Sequence, residues 1–182
     1  LSGGTYNEIT YDKSAGYVSP GNLLKKGYGY WKNEENSWAT ANDMLFTLKK
    51  VTVEKAPVMV DKIYPADKTD YTDSSFNTED TTVTLTATIS PSDATVTYVW
   101  YKYFENKSQW YPLTYEINTS GLPESYTGAD SATLSISDLT DNQTYQYRVR
   151  VTASDGYACD SESFTVTTNR CKHDWDANGK CT

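Results

Sequence analysis

Thr82-Val83-Thr84-Leu85-Thr86-Ala87-Thr88 alternates polar and apolar residues at a period of two, the pattern of a strand with one buried face. The same alternation returns in Thr95-Val96-Thr97-Tyr98-Val99-Trp100, in Ala132-Thr133-Leu134-Ser135-Ile136 and in Tyr145-Gln146-Tyr147-Arg148-Val149-Arg150-Val151. Each segment is short and rich in β-branched or aromatic side chains. Each is bounded by Pro, Gly, Asp, Asn or Ser, the residues that end strands. Strands with one buried face, spaced this way, predict two sheets packed face to face.

Particular residues narrow the sandwich further. Trp100 stands where the third strand of an immunoglobulin-like domain buries a tryptophan between the sheets. Leu139 and Tyr145 have the spacing of a tyrosine corner, in which the phenol bonds back to the main chain. Tyr147 and the region of Leu85 occupy the two positions where antibody-type domains place cysteines. The fold class expected is therefore mainly β, an immunoglobulin-like sandwich held by packing alone, with a small N-terminal α+β unit. Trp100, Leu134, Ile136, Val149 and Val151 should face inward.

Composition agrees. Aromatics make up 14% of the 182 residues, with 16 tyrosines, which suits half-buried strands. A net charge of −8 argues against nucleic acid, because phosphate binding needs clustered Lys and Arg. It argues equally against an anionic membrane surface. No apolar run is long enough to span a bilayer, and no signal-peptide pattern is seen. The three cysteines give no disulfide framework for the core.

Three segments follow from the punctuation. Residues 1–56 form a small α+β module. Within it, Ser19-Pro20-Gly21-Asn22-Leu23-Leu24-Lys25-Lys26-Gly27 carries a cap, a first-position proline and a terminal glycine, predicting a helix over Pro20 to Lys26. Ala56-Pro57 marks the boundary. Residues 57–168 make the sandwich, with long polar connections at 67–80 and 112–130. Residues 169–182 are a tail. The first module is expected to pack on an upstream neighbour, on the sandwich, or on both, since Leu45, Phe46, Leu48 and Val51 exceed what it would bury alone. Leu1 and Thr182 each fall within a motif, so the chain reads as part of a longer protein.

Tyr98-Val99-Trp100-Tyr101, Trp110, Ser131 to Ile136, Tyr145 to Val149 and Asp155-Gly156 together resemble the immunoglobulin-like repeats of large bacterial surface proteins. Gly3-Gly4-Thr5-Tyr6, Leu23-Leu24, Gly27-Tyr28 and Val51-Thr52-Val53 resemble a module of surface proteins from Gram-positive gut bacteria. The resemblance implies an exported, extracellular, cell-wall-associated protein and names no ligand.

Candidate sites are few. In the tail, Cys171, His173 and Cys181 supply three of the four ligands of a tetrahedral zinc site, and the tail looks like a Cys-x-His…Cys-x-x-Cys repeat cut before its last cysteine. A flexible tail with a Cys171–Cys181 or Cys159–Cys171 bridge is the competing reading. Asp174-x-Asp176-x-Asn178-Gly179 also matches the opening of a calcium loop, and equally an ordinary turn. Trp31, Trp38 and Trp110 are candidates for stacking on sugar rings, set against the plainer role of packing between elements. Asn106-x-Ser108, Asn118-x-Ser120 and Asn142-x-Thr144 fit the glycosylation acceptor pattern, which carries little weight in a bacterial protein.

The one histidine, His173, lies in the tail, so a Ser-His-Asp or Cys-His arrangement would depend on that segment. The function expected is a non-enzymatic structural or adhesion module without cofactor. Its partners would be an extracellular glycan, a host or matrix protein, or neighbouring domains of its own chain. The alternative is a carbohydrate-binding accessory module of a secreted glycan-degrading enzyme, which coplanar exposed tryptophans would favour.

Overall fold

The computed structural model describes residues 1–10 and 20–169. Two compact units emerge. Among the described residues, one comprises 1–10, 20–61, 88–97 and 150–160; the other comprises 62–87, 98–149 and 161–169.

In the first unit, β1 (Gly4–Ile9), α1 (Pro20–Leu23), β2 (Tyr28–Lys32), β3 (Ser37–Trp38) and β4 (Leu48–Lys55) follow one another along the chain. The strands form an antiparallel sheet in the order β1-β4-β2-β3. Ile9, Tyr30, Leu48, Val51 and Val53 are buried as one cluster, with Tyr6, Leu24, Tyr28, Ala39 and Met44 packed against them. Leu48 and Val51 therefore find their place in this unit's own core, whereas Leu45 and Phe46 are 54% and 61% exposed. Tyr30 is buried and donates its phenol to the Pro20 carbonyl at 2.8 Å, fixing α1 over the sheet. Burial raises the Tyr30 pKa to about 12, with the Tyr6 phenol adding to the shift.

The predicted helix is shorter than its signals. It spans Pro20–Leu23 and stops ahead of the two lysines. The Leu1 amine donates to the Leu23 carbonyl, and the Lys25 N–H donates to the Leu1 carbonyl at 2.9 Å. Gly27 does adopt the left-handed turn, at φ +84°. Ser19, the expected cap, lies outside the described residues.

The sandwich strands are β5 (Met59–Pro65), β6 (Ser75–Thr78), β7 (Val83–Ser90), β8 (Val96–Phe104), β9 (Gln109–Pro112), β10 (Ser125–Thr127), β11 (Thr133–Ser137), β12 (Thr144–Ala153), β13 (Ala158–Asp160) and β14 (Phe164–Thr168). One sheet runs β10-β11-β7-β5 and the other β6-β14-β12-β8-β9, with β13 beside β12. In immunoglobulin nomenclature these are D-E-B-A and G-F-C-C′, with β6 added in parallel along β14. The order itself establishes the immunoglobulin-like fold.

Alternation along the strands becomes burial. Leu85, Trp100, Leu134, Ile136, Tyr147, Val149, Val151 and Val166 are all inaccessible to solvent. The Trp100 indole N–H donates to the Ser131 carbonyl at 2.8 Å, so the largest core side chain carries no unmet polar atom. Tyr145 accepts the Thr140 N–H on its phenol oxygen at 3.0 Å, and Leu139 is buried beside it, which completes the tyrosine corner. Two expectations change. The polar connection 67–80 contains β6, and the connection 112–130 holds a short helix, α2 (Glu116–Thr119), and β10. In both places the strand is induced by its partner, not by local alternation: β6 pairs with β14 and β10 with β11.

Candidate functional site

The first unit carries a concavity built from two separate stretches of chain. Residues 33–36 turn β2 back into β3, with Asn36 in the left-handed region at φ 48°. Trp31 and Trp38 are thereby placed directly opposite each other across the hairpin. After Trp38, the Ala39 N–H returns to the Tyr30 carbonyl at 2.8 Å. The segment that follows is pinned by Asp43. Its carboxylate accepts the Thr40 N–H at 2.7 Å and the Thr40 hydroxyl at 2.9 Å. Lys32 adds an ion pair to Asp43 at 3.3 Å and another to Glu35 at 2.6 Å. These bonds, that from the Thr40 amide foremost, hold the Asp43 carboxyl below its ordinary pKa.

The opposite wall is the hairpin between β12 and β13. Ala153 and Tyr157 close it, the Ala153 N–H reaching the Tyr157 carbonyl at 2.8 Å. Gly156 supplies the positive φ of +86° that the turn requires. Asp155 sits at its tip and joins the two walls. One carboxylate oxygen accepts the Tyr157 N–H at 3.0 Å, and the other accepts the Trp38 indole N–H at 2.9 Å.

The rings themselves meet edge to face. Trp38 and Tyr157 lie 5.0 Å apart at 75°, and Trp31 and Trp38 lie 5.4 Å apart at 82°. Gly29 forms the floor beneath them. A Cβ at Gly29 would stand 2.8 Å from Tyr157 and 3.1 Å from Trp38, so only glycine admits both rings. Burial raises the Tyr157 pKa to about 12, with the neighbouring Cys159 adding to the shift.

Between these walls lies a cleft of about 630 Å³, within the usual range for small-molecule sites. Trp38, Met44 and Tyr157 give it apolar surface; Asn42, Arg150 and Asp160 give it polar edges. Arg150 and Asp160 form a two-pronged ion pair across β12 and β13, Nε to Oδ1 at 2.6 Å and Nη2 to Oδ2 at 2.9 Å. Cys159 also lines the cleft, its Sγ 3.7 Å from the Val58 carbonyl. Burial pushes this thiol's pKa up, so at neutral pH it is a thiol and not a nucleophilic thiolate.

Trp38 thus enters the cleft, and Trp31 stands at its back as an edge-on partner. Trp110 belongs to the second unit. There its ring covers the Arg148 guanidinium at 4.7 Å, with Tyr101 on the same guanidinium at 5.2 Å, and it tilts against Tyr103. Trp31 and Trp38 are nearly perpendicular and half-buried. Cys171, His173 and Cys181 lie outside the described residues, as does the calcium-loop pattern. Among the described residues, no three His, Cys, Asp or Glu side chains come together in a way that would hold a metal ion.

Sequence reading did not find Asp155, Tyr157 or the Arg150–Asp160 pair. Trp38 and Asp155 are 117 positions apart, and only the fold brings them together. The one local hint was Asp155-Gly156, a turn signature immediately ahead of an aromatic residue.

A second buried polar feature lies inside the sandwich. Lys102 and Glu124 are both buried and form an ion pair at 3.0 Å. The Lys102 ammonium also faces the rings of Tyr145 at 5.0 Å, Phe104 at 5.3 Å and Tyr126 at 6.0 Å. Removing either partner alone would leave the other charge buried without compensation.

No protein-family profile matches the chain, and no curated protein matches it in sequence. Solved structures give distant likenesses. The solution structure of the PKD domain from KIAA 1837 protein aligns at 19% identity over 55% of this chain and 82% of its own, with a TM-score of 0.36. The crystal structure of DIP-gamma IG1+IG2 aligns at 12% identity over 82% of this chain and 86% of its own, with a TM-score of 0.34. No helix among the described residues is long and apolar enough to cross a membrane.

Proposed function

We propose that the chain is a non-enzymatic structural and adhesion module of an exported bacterial cell-surface protein. The observation that carries the reading is the construction of the sandwich. An immunoglobulin-like strand order is closed by Trp100, by the Tyr145 corner and by a parallel β6–β14 edge, with Leu85 and Tyr147 at the two usual cysteine positions. Such a core folds without oxidation and suits a module repeated along a surface-anchored chain. Its partners in this reading are a host or matrix protein and the neighbouring domains of the same chain. Beads coated with the purified chain should be retained on host-cell monolayers or matrix proteins more strongly than beads carrying an unrelated immunoglobulin-like domain. Equal retention on every surface would overturn the adhesive role.

The cleft favours a second reading, a carbohydrate-binding accessory module of a secreted glycan-degrading enzyme. Trp31 and Trp38 do not make the coplanar exposed platform that would have favoured it most, and its support is instead the pairing of aromatic rings with hydrogen-bonding edges in one concavity, which Trp38 enters. A glycan array probed with the chain tests it, and an array on which no glycan is retained would end it.

A further inference from the structure

We infer that the Trp38–Tyr157 cleft holds a single uncharged sugar ring, apolar face toward the aromatic wall and hydroxyls toward the Arg150–Asp160 pair. The inference rests on the carbohydrate-binding reading and narrows it to one site and one class of glycan.

Charge sets the class of ligand. Arg150 and Asp160 present a positive and a negative group side by side, joined by two hydrogen bonds, and the two formal charges cancel. An anionic ligand approaching the guanidinium meets the adjacent carboxylate, and a cationic ligand approaching the carboxylate meets the guanidinium. A hydroxyl, which both donates and accepts, suits both groups without a charge penalty. Neighbouring hydroxyls on a pyranose present such groups in adjacent positions. The same cleft carries apolar surface from Trp38, Met44 and Tyr157. A sugar ring combines the two characters, with C–H groups on one face and hydroxyls at the rim.

Preorganisation points the same way. The Trp38 indole N–H is already held by Asp155, so this ring is offered as a surface and not as a donor. The same carboxylate fixes the Tyr157 main chain, and Gly29 lets both rings sit down on the sheet. Asp155 is therefore a positioning residue for the two rings, and its worth lies in order already present before binding.

The test titrates the full chain with cellobiose, lactose, maltose and diacetylchitobiose, following tryptophan fluorescence and calorimetry, with glucuronate and glucosamine as charged comparators. At least one neutral disaccharide should saturate with a Kd of about 1 mM or tighter, and both charged sugars should bind more weakly. Trp38→Ala should weaken binding about 10-fold or more, and Trp38→Phe should restore part of it. Charge balance at the pair leaves a signature independent of stacking. Arg150→Gln should shift preference toward glucosamine, and Asp160→Asn toward glucuronate. Asp155→Asn should weaken binding without changing that preference. A wild-type preference for a charged sugar would overturn the inference and leave carbohydrate binding standing. So would binding undiminished in both Arg150→Gln and Trp38→Phe. A natively folded chain that saturates with none of the four neutral sugars would also overturn it, and the glycan array then decides whether the broader reading survives.

Discussion

Two tryptophans, Trp100 and Trp38, solve the same local problem in opposite ways, and the contrast separates what holds this molecule together from what it can offer to others. Each has an indole N–H that must find an acceptor. Trp100 gives its proton to the Ser131 carbonyl inside the sandwich, with no surface left exposed. Trp38 gives its proton to the exposed carboxylate of Asp155, and its ring is left half-covered at the edge of a cleft. An indole satisfied by a buried carbonyl works for stability. One satisfied by a carboxylate at the rim is positioned without being enclosed, which is the condition for a binding surface.

The contrast should break first at Trp100. Trp100→Ala removes the largest core side chain and strips the Ser131 carbonyl of its donor, so the loss should reach about 3–5 kcal/mol in urea denaturation. A loss below about 1 kcal/mol would mean that Trp100 is not the keystone described. Next comes the buried pair. Glu124→Ala leaves the Lys102 ammonium enclosed among aromatic rings and should cost about 3 kcal/mol, whereas Lys102→Met with Glu124→Leu should recover most of it. If the double variant were no more stable than the single one, the penalty would not come from an orphaned charge.

Tyr145→Phe deletes the acceptor for the Thr140 N–H while keeping the ring, and about 1–2 kcal/mol is expected from thermal melts. At alkaline pH the first unit should respond through Tyr30 and Tyr157. Both keep their protons to about 12 when folded, against an ordinary value of 10.0. A raised folded pKa gives the native state an advantage that is complete below the ordinary value and disappears as pH rises toward 12. Stability should therefore fall across that window, and tyrosinate absorbance should rise in step with unfolding. Early, non-cooperative ionisation of all tyrosines would contradict it. The smallest effect belongs to the rim. Asp155→Asn should change stability by about 0.5–1 kcal/mol or less, yet alter the near-UV circular dichroism as the Trp38 and Tyr157 rings loosen.

The same pair of tryptophans marks how far the residues could be read in advance. Trp100 was legible because alternation placed it on the inner face of a strand, and Tyr145 because its spacing from Leu139 is a local device. Ser75-Phe76-Asn77-Thr78 was not, since nothing apolar alternates there and its strand geometry comes from pairing with β14. The helix after Pro20 began as signalled and stopped at Leu23, ahead of the lysines. Trp38 was singled out by type, but its meaning depends on Asp155 and Tyr157, which no local pattern connects to it. Sequence periodicity reports which face of a strand is buried. It is silent on which distant turn arrives opposite.

The parallel run of β6 along β14 also decides how the sandwich would bear a load. Ser75, Phe76, Asn77 and Thr78 lie beside Thr165, Val166, Thr167 and Thr168 in register. The chain enters this pair at the start of β6 and leaves it at the end of β14, so tension applied at those two points slides the strands along each other. Every rung of the ladder is then strained at once, instead of opening singly as in a peeled hairpin. A few residues of unremarkable composition would thereby share such a load among all their rungs.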